Sequence, residues 1–305
     1  MADFCGKTLF WVSMNATCRP AQQPIADRVP PHLFFVVSAI FHYLGPSFAV
    51  LLFARIEPLG VAWLRIASAA VVFSIWRQPW RFAVTLSLRE CALVAALGAV
   101  LAAMNASFYL AIHVLPLGTV GAIEFLGPIA LAAIGLSSRQ NLLALALAIA
   151  GVATLTDVRF EGAPIGYLFA FANCLLFVLY VVLGHRIAGK AGIDLLSCAM
   201  MVAAVVALPL GISEALPAFA SVPLLVAAIG VGITSSVIPY VTDQLAMARL
   251  PRATFALMLS VLPATAALIG FVVLRQVPTT AELAGIALVA IGVALHRQRK
   301  TAANA

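Results

Sequence analysis

Polar and apolar positions alternate along this chain on a long scale: apolar runs of about 17–23 residues, the length that carries a helix across a bilayer, are separated by short polar punctuation. The runs fall near 32–53, 59–77, 91–113, 116–136 and 141–156, then 164–184, 195–213, 223–247, 254–274 and 281–296. Each predicts a transmembrane helix, giving ten in all, because only helices and closed barrels satisfy backbone polar groups in lipid. Gly127, Pro128, Pro239 and Pro263 predict helix breaks inside these spans, as does the Gly45-Pro46 pair. Residues 1–31 are polar and proline-containing, and residues 297–305 are also polar; both are expected to be cytoplasmic tails, the first one disordered.

Certain short stretches recur at one offset. Leu115-Pro116 returns as Leu250-Pro251, Pro128 as Pro263 and Ile134-Gly135 as Ile269-Gly270, each 135 residues later. Ile149-Ala150-Gly151-Val152-Ala153 returns with a small slip as Ala290-Ile291-Gly292-Val293-Ala294. Two repeats are therefore expected, at 32–157 and 164–296. Each holds an odd number of spans, so the second must insert upside down relative to the first. Inverted repeats of this kind build alternating-access transporters with a site near the bilayer midplane.

Composition sharpens this picture. Hydrophobic residues make up 64% of the 305 residues and charged residues only 10%, against about 45–50% and about 25% in soluble domains. The net charge of +7 comes from basic residues scattered singly through loops, without the basic face that nucleic acid requires. Topology accounts for them. With the amino terminus inside, fourteen Lys and Arg lie on the cytoplasmic side, while Arg55, Arg159 and Arg275 lie outside. The expected placement is a multi-pass inner-membrane protein with both termini cytoplasmic. The five cysteines show no metal or redox spacing, and no cofactor or metal is expected.

Three ionisable side chains fall within spans: Arg65, Glu124 and Asp243. A charge at a helix centre costs about 2.5–3.5 kcal/mol on insertion scales, so each is a candidate site. Glu124 lies too deep to reach water, which suits it to carry a proton or meet a substrate ammonium; a protonated Glu bonded to a neighbouring helix is the alternative. Arg65 offers a bidentate partner for a substrate carboxylate, a partner for Glu124 or Asp243, or a side chain that snorkels to the headgroups. Asp243 has a functional and a structural reading of equal standing. Neutral candidates for a cavity lining are Asn105, Tyr109, Tyr240 and Gln244, with Thr234, Ser235 and Ser236 nearby and His42 and Tyr43 as weaker ones; packing is the commoner use of such residues.

Several stretches carry a family likeness: Trp63-Leu64-Arg65-Ile66-Ala67, Met104-Asn105 to Tyr109, Pro116-Leu117-Gly118 and Ile123-Glu124-Phe125-Leu126-Gly127-Pro128. In the second half the likeness continues through Ile238-Pro239-Tyr240, Asp243, Arg249-Leu250-Pro251 and Thr254-Phe255. In these the chain resembles the drug/metabolite transporter superfamily, in its ten-span branch with EamA-type repeats, and within it the threonine/homoserine exporters. The resemblance implies export of small amphoteric metabolites such as threonine and homoserine, driven by proton exchange. A broad drug or nucleotide-sugar carrier of the same fold is the nearest rival. A membrane-embedded enzyme would need a polar catalytic cluster and a sensor would need an output domain, and neither pattern is present in the sequence. The implied partners are a small-molecule substrate, a proton and the lipid bilayer, with a homodimer left open. Asp243 stands where the resemblance implies Glu, Leu262-Pro263 where it implies Glu-Pro, and Arg275-Gln276 where it implies Gly-Glu.

Overall fold

The computed structural model describes residues 30–134, 139–157, 164–188, 191–250 and 262–295, with Phe255 and Leu259. The expected tails fall almost wholly outside these residues. The described residues form helices α1 (Pro31–Leu52), α2 (Pro58–Arg77), a short α3 (Pro79–Ala83), α4 (Leu88–Val114), α5 (Leu117–Ile134) and α6 (Arg139–Asp157). They continue as α7 (Pro164–Ile187), α8 (Gly192–Phe219), α9 (Val222–Gly232), a π-helical segment (Ile233–Val237), α10 (Ile238–Met247), α11 (Leu262–Leu274) and α12 (Thr280–Leu295). Helix starts follow the local chemistry. Proline lies in the first turn of α2 and α9, where a missing N–H has no consequence. The Ser87 hydroxyl and the Glu90 carboxylate form a capping box on α4.

Every apolar run carries a helix. Six are long and apolar enough to cross a membrane: residues 33–52, α2, α4, α7, α8 and the continuous rod from Val222 to Met247. The apolar stretches in α5, α6, α11 and α12 are shorter, at 10–17 residues. Large apolar side chains remain on the outer faces, with Leu175, Val205, Val226 and Phe271 all more than half exposed. A helix that is apolar on its buried and its exposed sides belongs in lipid. The chain is a multi-pass helical membrane protein.

The expected breaks are realised unevenly. α5 runs without interruption through Gly127 and Pro128, and α1 through Gly45 and Pro46. Gly127 serves contact instead: a Cβ there would lie 3.0 Å from the Cys174 carbonyl and 3.1 Å from its Sγ on α7. Pro263 is the second described residue of α11, and the two residues before Leu262 lie outside the described ones. The rod containing Pro239 departs from α geometry, as the π segment just before it.

Helices pack through small residues. α2 lies along α8, with Gly60 donating its N–H to Glu214 Oε2 at 3.1 Å near one end and Arg77 paired with Asp194 at 2.6 Å at the other. α6 lies along α12, α5 against α7 and α11, and α4 against α7 and α8. α1 packs on α11 and on the Val222–Met247 rod, which also meets α2. At the crossing of α1 with the π segment, a Cβ on Gly45 would lie 2.7 Å from Ser235 Cα and 2.8 Å from its nitrogen. Backbones touch there, as small-residue crossings allow. Gly45→Ala is expected to lower unfolding stability by about 1–3 kcal/mol, the cost of overpacking, read as a lower Tm of the purified protein in detergent; an unchanged Tm would show that the crossing yields freely.

Candidate functional site

The site begins with a backbone defect. Proline at 239 has no N–H to give to the carbonyl four residues earlier, that of Ser235. In the π segment that carbonyl is taken by Arg65: Nη2 donates to Ser235 O at 2.5 Å and Nε to Ser236 Oγ at 2.8 Å. The guanidinium also lies 5.5 Å from the centroid of the Tyr109 ring, a cation–π distance. Arg65 is only 4% exposed. It faces inward rather than snorkelling, and the pairing with Glu124 or Asp243 is not formed. Glu124 instead has His42 Nε2 at 3.8 Å from Oε2.

Glu124, on α5, is buried and held from two helices. From α1, the Tyr43 hydroxyl donates to its Oε2 at 2.9 Å; from α7, Asn173 Nδ2 donates to Oε1 at 2.9 Å. His42 Nε2 lies 3.8 Å from Oε2. Gly121, one turn before Glu124, leaves room for this: a Cβ there would come within 2.9 Å of the Tyr43 hydroxyl oxygen. The other end of the Asn173 amide, Oδ1, is buried without a hydrogen-bond partner.

Asp243, on α10, occupies a parallel arrangement. Ser38 Oγ on α1 donates to Oδ1 at 2.5 Å and the Tyr180 hydroxyl on α7 donates to Oδ2 at 3.1 Å. Asn105 on α4 donates to the Leu101 carbonyl at 2.7 Å and to the Tyr240 hydroxyl at 3.2 Å, and the Tyr240 and Tyr180 rings are 5.5 Å apart. Gln244 lies beside Gly184 and Gly192 with both amide heavy atoms buried and unpartnered. The sequence candidates thus converge on one polar layer, with Tyr109 beneath Arg65 and Gln244 at its edge.

Arg65 and Glu124 line a common cavity together with His42, Asn105, Asn173 and Tyr240. Its volume open to the centre of a water molecule is about 10 Å³, room for roughly one water. A second, open cavity of about 510 Å³ is lined by Ile112, His113, Leu115, Thr119, Gln276 and Val277, among others. Phe108 borders the first and Ile112 the second, one helical turn further along α4.

Sequence reasoning missed Ser38, Asn173 and Tyr180 and gave His42 and Tyr43 little weight. A signal was present in the spacing. Ser38 and His42 stand four apart on α1, and Asn173 and Tyr180 seven apart on α7, each pair on one face of an otherwise apolar helix.

Fold and site together define a multi-pass helical membrane protein in which buried Arg65 and Glu124 line one small cavity. Residues 164–297 match the EamA-like transporter family, so the resemblance to EamA-type transporters extends through the second half of the chain. The chain is 28% identical over 264 residues to the threonine/homoserine exporter RhtA of Salmonella typhimurium (strain LT2), covering 86% of this chain and 88% of that protein. It is 29% identical over 245 residues to the protein of the same name from Escherichia coli (strain K12), covering 78% and 81%. A crystal structure 19% identical in sequence superposes with a TM-score of 0.58 over 87% of this chain and 95% of that one, which shows a shared fold.

Removing one donor leaves a buried carboxyl oxygen of Glu124 with one partner fewer. Tyr43→Phe is expected to reduce unfolding stability by about 1–3 kcal/mol at neutral pH, measured by chemical or thermal unfolding in detergent. No change would mean that Asn173 and His42 satisfy Glu124 unaided.

Proposed function

We propose that this protein exports amino acids of the threonine and homoserine type from the cytoplasm across the inner membrane by alternating access, in exchange for protons. One observation carries the reading: a single cavity is bordered by a buried arginine and a buried glutamate that do not pair with each other. A zwitterion needs both. Arg65 retains N–H donors for a carboxylate, while Glu124 and the unpartnered Asn173 Oδ1 are acceptors for an ammonium group. The relatives named as threonine/homoserine exporters support this substrate class.

In this reading all ten helical rods cross the membrane as two inverted repeats, 32–157 and 164–296, with both termini cytoplasmic. The packing pattern supports it. Exchanging each rod for its counterpart in the other half turns the α1/α10 contact into α7/α4, α4/α8 into α10/α2, and α5/α7 into α11/α1. The pairs α2/α8, α5/α11 and α6/α12 map onto themselves. All of these rods are in contact, taking the Val222–Met247 rod as one. The Asn105–Tyr240 hydrogen bond joins residues 135 apart, the offset of the sequence repeat. A contact between a residue and its own counterpart lies on the two-fold axis relating the repeats. That axis passes through the central cavity.

The cavity of about 10 Å³ is too small for an amino acid. Binding therefore requires the helices to part, and the open cavity one turn of α4 away is the natural exit. The carboxylate on Glu124 exchanges a proton for the substrate ammonium, which couples the two movements.

Wild-type protein in proteoliposomes is expected to move labelled threonine or homoserine in response to an imposed pH gradient. Glu124→Gln should abolish the gradient dependence. Arg65→Lys, which keeps the charge but not the planar fork, is expected to raise KM about tenfold or more. Wild-type vesicles that move neither compound but carry other solutes would replace the amino-acid assignment with a broader carrier; Glu124→Gln vesicles that respond normally would remove Glu124 from the coupling step.

A further inference from the structure

Between α2 and α4 the chain turns through α3, and its outward side chains are of a kind that water does not suit. Val84 is 84% exposed, Leu88 87% and Trp80 52%, and Ile75 and Trp76 in the last turn of α2 are exposed as well. The segment does not hang free. Gln78, in the left-handed region at φ 49°, ends α2 and starts α3. α3 packs on α8, where Cys198 Sγ donates to the Pro79 carbonyl at 3.6 Å. Pro79 is buried, and Phe82 and Leu86 pack against the core. Packing thus fixes the inner side of the connection and leaves the apolar residues outward.

α2 and α4 are both of membrane-crossing length, so the residues that join them lie at the level where the spans end. An apolar outward face with tryptophan at that level belongs among lipid headgroups rather than in water. Charge then selects among headgroups. Arg77 is already paired with Asp194 and lies 5.5 Å from the centroid of the Trp76 ring. The Glu90 carboxylate is engaged by the Ser87 N–H and hydroxyl. Arg81 and Arg89 are exposed and have no carboxylate within 4 Å among the described residues. In sequence they bracket Val84 and Leu88. Guanidinium groups beside a lipid-seated loop complement a phosphate that carries net negative charge, whereas a zwitterionic headgroup brings a cation of its own.

We propose that the connection between α2 and α4 is a binding surface for anionic phospholipid, with Trp80, Val84 and Leu88 seated in the interface and Arg81 and Arg89 holding the lipid phosphate. This surface shares no residue with the lining of the central cavity, and it stands whichever solute the protein moves. It ties the end of α2, the helix that carries Arg65, to the lipid surface.

The test uses the full chain in vesicles of phosphatidylglycerol and phosphatidylcholine in equal parts, with one lipid or the other brominated near the top of its acyl chains. Quenching of Trp80 is read as the difference in fluorescence between wild type and Trp80→Phe. Brominated phosphatidylglycerol is expected to quench Trp80 at least twofold more than brominated phosphatidylcholine. High salt should shrink that preference, since it screens exposed charges, and in the Arg81→Gln/Arg89→Gln background the two lipids should quench alike. Equal quenching by the two lipids in wild type, or a preference that survives both salt and the double substitution, overturns the anionic site. Quenching by neither lipid places the connection in water and overturns it as well. The wild-type and salt measurements decide the matter even where the double variant fails to fold.

Discussion

The interior depends on how one positive charge is held in a place that lipid surrounds. Arg65 has no carboxylate within 4 Å among the described residues, and an uncompensated guanidinium at that depth is costly. The structure meets the cost with backbone. Pro239 withholds an N–H, the π segment presents the freed Ser235 carbonyl, and Gly232 and Gly45 let that segment approach α2 and α1 closely. A cation satisfied by carbonyl, hydroxyl and ring faces keeps its carboxylate-binding capacity, which an Arg–Glu pair would have consumed.

The negative side is organised differently. Glu124 and Asp243 each accept hydrogen bonds from a hydroxyl on α1 and a polar group on α7. These four donors are neutral side chains, so neither carboxyl group is held by arginine or lysine among the described residues. The cation and the two acids therefore occupy one polar layer while remaining separate elements of it. α1 supplies a hydroxyl to each acid, so its shift relative to α5 and α10 would alter both together.

The likeness between halves is broken where the charges are. Counting 135 residues on from Glu124 gives Leu259, and 135 back from Asp243 gives Phe108, both buried. The ionisable groups do not follow the offset of 135.

The sequence by itself determined the helical rods, their apolar surroundings and the three buried charges, because burying a charge or crossing lipid leaves a mark on composition that no tertiary contact can erase. It also carried the offset of 135 that relates Asn105 to Tyr240. Only the tertiary structure decided that these two meet, that Arg65 turns to Ser235 and Ser236 rather than to a carboxylate, and that Ser38, Asn173 and Tyr180 complete the acids. It also decided that Gly127 is a contact rather than a break. The physical reason is the same in each case. A serine, an asparagine or a glycine in an apolar helix costs little enough to be placed on any face, so its partner is fixed by how the helices pack and not by its place in the chain.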